Sequence, residues 1–164
     1  MTAPALPAIG IARQVEAQVD LAAFVECRAD VAGYNAFALR LAFEPELVGR
    51  LGWKAVAGEN PFLQQYRLNA PISVFGQTAG MVAFTSTGPM AVLEGVAAPD
   101  IAGRLGIVPL LSTPQKFLGE KVIGESSENG DGATCVTRIS LNVPTVEDLP
   151  GKVLAGCSCV LDVK

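Results

Sequence analysis

Between residues 14 and 30 polar and apolar side chains take turns along the chain. Gln14, Glu16, Gln18, Asp20, Glu26, Arg28 and Asp30 occupy even positions, whereas Val15, Ala17, Val19, Leu21, Ala23, Val25, Cys27 and Ala29 fill the odd ones. A period of two is the signature of strands with one buried face and predicts strand here. Residues 21–29 also suit a helix capped by Asp20, because Ala, Leu and Glu favour helix and Asp is a good N-cap. Both readings stand for this stretch. Residues 35–43 predict a strand following a turn at Gly33.

Alternation returns at Leu68, Ala70, Ile72 and Val74. It predicts a strand, a turn at 76–80, a strand at 81–85, a turn at Gly88-Pro89 and a strand at 90–96. Strands at 117–124 and 134–143 flank the polar segment 125–132, which reads as a long hairpin loop, and a last strand covers 153–163. These elements predict a β-rich α+β fold. Residues 1–164 would form one domain of antiparallel hairpins wrapped into a sandwich or barrel, with short Pro-started helices at the crossovers.

One internal regularity stands out. Pro45-Glu46-Leu47-Val48-Gly49-Arg50-Leu51-Gly52-Trp53 matches Pro99-Asp100-Ile101-Ala102-Gly103-Arg104-Leu105-Gly106-Ile107, with Pro, both Gly, Arg and Leu identical. The copies lie some 54 residues apart. Each follows an apolar stretch read as strand (37–43 and 91–97), and each puts Pro and an acid where a helix would begin. The implied unit is strand, Pro-started helical turn, Gly exit, strand. A fainter third copy runs from Pro144 to Lys152. The structural reading makes each Gly a helix C-cap and sets each Arg at a negative helix end. The functional reading makes Arg50 and Arg104 equivalent arms around an anionic ligand.

Composition narrows the chemistry. Apolar side chains make up 50% of the residues and Gly adds 17 of 164, while only 17% are charged. Soluble domains usually carry about 25% charge. Surplus apolar surface points to self-association, and no apolar run approaches the roughly 18 residues of a membrane-spanning helix. A net charge of −4 with 12 scattered Lys and Arg argues against nucleic acid as a partner. There is no histidine. That removes the usual general base of Ser and Cys nucleophiles and every His-containing metal site.

Cys27, Cys135, Cys157 and Cys159 follow neither disulfide-scaffold nor zinc spacing, and the N-terminus lacks the pattern of an export signal. Reduced, buried thiols in a cytoplasmic protein are therefore expected. Segment 125–132 places acids and Asn like a calcium loop, but the twelfth position, Val136, holds no carboxylate to close the cage. No phosphate, dinucleotide or nucleophile-elbow motif occurs, and no cofactor, metal or catalytic residue is indicated. The sparse aromatics Trp53, Phe62, Tyr66 and Phe75 cluster between the two copies, and a pocket, if present, is expected beside residues 60–66. The expected role is a non-catalytic, self-associating module whose partner is a further copy of itself; the rival is a small enzyme or carrier for an anionic or apolar small molecule, held by Arg50, Arg104, Trp53 and Tyr66.

Overall fold

The computed structural model describes residues 19–164. Three helices come first: α1 (Leu21–Val25), α2 (Val31–Phe43) and α3 (Leu47–Arg50). A four-stranded meander follows, β1 (Lys54–Val56), β2 (Gln64–Val74), β3 (Gln77–Phe84) and β4 (Pro89–Glu94). Helix α4 (Ala98–Leu105) then leads into a second meander, β5 (Val108–Ser112), β6 (Phe117–Gly130), β7 (Ala133–Pro144) and β8 (Lys152–Val163). The last strands of the two meanders pair, so all eight form one antiparallel sheet in the order β1-β2-β3-β4-β8-β7-β6-β5. The sheet is open, with β1 and β5 at its edges.

The strand expected over 14–30 is corrected in its described part, where α1 forms. Asp20 caps it by accepting a hydrogen bond from Ala23 N at 2.9 Å. Five residues are too few to separate a period of two from one of 3.6, so the cap and the helix-forming residues prevail. Residues 35–43 are likewise helix, not strand. Phe37 and Leu41, four apart, are buried, whereas Leu39 and Phe43 of the same alternating series are exposed. A helix buries every third or fourth residue, and Asp30 caps this one through Gly33 N. The first copy of the Pro-Gly-Arg segment thus follows a helix.

Both copies nonetheless form a helix that leads into the first strand of a meander. Gly52 (φ 71°) and Gly106 (φ 66°) end them in the left-handed region. The third copy forms no helix and serves as the β7–β8 connection. The polar loop expected at 125–132 is also corrected: β6 and β7 run on to Gly130 and from Ala133, leaving Asp131-Gly132 as the turn. Cross-strand partners hold the extension, with Arg138 paired to Glu125 at 3.3 Å and Thr134 donating to Asn129 at 2.9 Å.

Successive residues of β4 go to opposite faces, and two cores result. On the first face, Ala91 and Leu93 pack with Leu21, Val25, Phe37 and Ile101 beneath the helices. On the second, Met90, Val92, Met81 and Leu154 are covered by Leu63 and by Leu149 of the β7–β8 connection. A Phe75-Gly76 turn with φ of 52° and 70° links β2 to β3, and Phe75 N donates to Glu26 beside α1 at 2.8 Å.

Candidate functional site

A cleft of mixed polarity lies where α2 and α3 meet the bulged strand β2. A cavity of about 410 Å³ opens there, lined by Arg40, Arg50, Trp53, Leu68, Asn69 and Ile72 among others. Pairing of β2 with β3 is interrupted between Arg67 and Ile72, which lets residues 68–72 bow out and form one wall. Glu44, just past the end of α2, accepts from Arg40 Nε at 2.9 Å and from Arg50 Nη2 at 2.7 Å. These two guanidiniums, Arg40 first, hold the Glu44 carboxyl below its ordinary value.

Two of the four residues singled out from sequence come together in this cavity, namely Arg50 and Trp53. Tyr66 lies behind them. Its ring centroid is 5.9 Å from that of Trp53, within a chain of rings that includes Phe37 and Phe84 and belongs to the first core. Arg104 is elsewhere: it sits exposed on α4, which packs against β5 to β8, whereas α3 packs against α2 and β1. Beside residues 60–66 a second cavity, of about 300 Å³, is lined by Tyr34, Leu41, Pro61, Phe62, Gln64 and Phe84.

Burial pushes the Tyr34 hydroxyl up to about 12 and raises that of Tyr66 as well. An acid whose folded value exceeds its unfolded value near 10 contributes stability in full below pH 10 and loses it as pH climbs towards 12. Thermal melts between pH 9 and 12 should therefore show a smaller decline for Tyr34→Phe than for the parent chain. Parallel declines would contradict this.

The cysteines differ from expectation. Cys27, two residues beyond α1, forms a disulfide with Cys157 of β8, their Cα atoms 5.2 Å apart, while Cys135 and Cys159 are free. Spacing that matches no scaffold and an N-terminus without an export pattern point to reduced thiols, yet residues 130 apart in sequence can be paired only by the fold. No sequence signal marks this pair. Glu44 was legible only in part, as an acid four residues after Arg40. Among the described residues no group of three Cys, Asp or Glu is placed to hold a metal ion, and no helix is long and apolar enough to cross a membrane.

No protein-family model, curated protein or solved structure matches the chain.

Proposed function

We propose that this chain is a non-catalytic assembly module that associates with copies of itself through the face of β5 and β6 turned away from the helices. One observation carries the reading. By register, Val108, Glu120, Asn142, Gly156 and Met90 form a row on the second face, and Leu111, Leu118 and Val122 share that face. Around Met90 this face is covered by Leu149 and Leu63; at the β5 end Val108 is 74% exposed, Val122 49% and Leu111 39%. Among the described residues the sheet is thus sealed over one half and open over the other, where Val108, Leu111 and Val122 stand exposed around Glu120; exposed apolar side chains among polar ones mark a surface that meets a partner.

Two such faces packed together would complete between copies the sandwich expected from the sequence. The shared segments ahead of β1 and β5 support a duplicated helix-plus-meander unit joined at β4 and β8. Residues 1–164 are read as one domain on the same grounds. Against the cytoplasm expected from the cysteine spacing and the N-terminal pattern, the Cys27–Cys157 bridge favours an oxidising compartment, where disulfides persist.

Sedimentation velocity from 1 to about 100 μM tests the reading. Dimers or larger species are expected, shifted to monomer by Val108→Glu with Val122→Glu at unchanged circular dichroism. A strict monomer throughout that range refutes it.

The carrier reading is favoured by the cavity that unites Arg50, Arg40 and Trp53. It requires a small molecule in native mass spectra of the purified protein, lost in Arg50→Ala without loss of fold. Retention of that molecule by Arg50→Ala would rule the cavity out as its seat.

A further inference from the structure

The disulfide has a third cysteine beside it. Cys157 and Cys159 are two residues apart on β8, so both side chains leave the same face of the sheet, the face carrying α1 and α2. Both line one small cavity of about 30 Å³, together with Phe24, Ala29, Asp30 and Tyr34. Ala29 and Asp30 belong to the short connection that begins just after Cys27. The chain bearing Cys27 therefore already lies against Cys159. The titratable groups lining that cavity besides the cysteines are Asp30 and Tyr34.

From this arrangement we infer that Cys159 is an exchange partner for the Cys27–Cys157 bridge, making it a movable tether between the helices and the sheet. In the exchange, Cys159 gives up its proton and its thiolate attacks Cys27 Sγ in line with the existing bond. The Cys27–Cys159 bond forms, the Cys27–Cys157 bond breaks, and Cys157 leaves as a thiolate that takes up a proton. One thiol and one disulfide enter and one of each leave. No oxidant or reductant is consumed.

Geometry selects Cys27 as the sulfur attacked. A bond between Cys157 and Cys159 would join neighbours on one extended strand, whose Cβ atoms stand about 6.7 Å apart. A disulfide needs them about 4 Å apart. Cys27, by contrast, lies in a turn, with φ of 57°, hydrogen-bonded through its N–H to Phe24 O at 3.3 Å and outside any helix or strand. Moving the bridge along β8 by two residues displaces that turn, while α1 and α2 remain capped by Asp20 and Asp30. The result is one chain with two covalent forms that differ in where the α1–α2 connection is pinned.

Two measurements test the inference. Cys157→Ser leaves Cys27, Cys135 and Cys159; after air oxidation, non-reducing digestion and mass mapping should find Cys27 joined to Cys159, with maleimide labelling confined to Cys135. Labelling of both Cys27 and Cys159 in a variant with the parent's circular dichroism overturns the proposal. The parent protein supplies a readout that does not depend on this variant folding. Held at pH 8 without added thiol, then quenched in acid and mapped, it should contain the Cys27–Cys159 form beside Cys27–Cys157, the former absent from Cys159→Ser. Mapping that finds Cys27–Cys157 alone at every time sampled overturns it equally.

Discussion

Replacing Cys27 and Cys157 together by serine should lower the unfolding free energy by about 3–5 kcal/mol. The bridge spans 130 residues, joins the end of the first helix to the last strand, and so closes most of the described chain into one loop. Loop-closure entropy for about 100 residues alone predicts a loss near 4.7 kcal/mol, and residual order in the unfolded chain brings the expectation down. Equilibrium denaturation in guanidinium chloride measures it. The double variant should match the parent protein measured in excess reductant, since both lack the same covalent link. A loss below about 1 kcal/mol would mean that the helical layer holds to the sheet without the bridge.

Gly156→Ala should also be severely destabilising, by about 2–3 kcal/mol, because the residue lies directly opposite Met90 in the antiparallel β4–β8 pair with no room for a side chain. A Cβ built there overlaps Pro89 O and comes within 2.6 Å of Met90 Cα. Both are backbone, so neither can swing aside, and the strands themselves must separate. Among the described residues this seam is the only strand pairing between the two meanders. Gly124→Ala serves as the control. It sits in β6 opposite Ile139, and its added carbon would meet only that side chain, at 3.8 Å. Thermal unfolding of the two variants should separate them by several degrees. Equal losses would show that the β4–β8 pair has slack at this position.

The two variants probe different kinds of information. Gly156 sits in a run of apolar and small residues, Val153 to Cys159, where nothing in the order of side chains says that a neighbouring strand comes unusually close. The strands themselves were legible. Gln64–Val74, Pro89–Glu94, Ala133–Pro144 and Lys152–Val163 each contain the alternating or apolar stretch that predicted them. The ends of the two Pro-Gly-Arg segments were equally legible, since a left-handed exit at Gly52 and Gly106 is a local requirement of the backbone.

The helical layer was misread for a local reason. Phe37, Leu39, Leu41 and Phe43 alternate like a strand, and only burial of Phe37 and Leu41 against exposed Leu39 and Phe43 reveals the helical period. The polar run 125–132 was misread for the opposite reason. Ser, Glu and Asn look like loop, yet here they are strand because β7 offers each a cross-strand partner, and pairing outweighs weak β-propensity. At the cavity, Arg50 and Trp53 could be chosen from the repeated segment, but their meeting with Arg40 and Asn69 required α2 and the bulge of β2 to converge.

By itself, then, the order of amino acids determined the β-rich character, the position of most strands, the helix exits and the excess of apolar surface, because each depends on neighbours a few residues away. Tertiary structure alone decided that the two meanders join through β4 and β8, that Cys27 meets Cys157, that Arg104 stands apart from Arg50, and that Val108, Leu111 and Val122 of β5 and β6 stand exposed. Those are contacts between residues distant in sequence. They arise when whole elements bury their faces together, and no local pattern encodes which faces those will be.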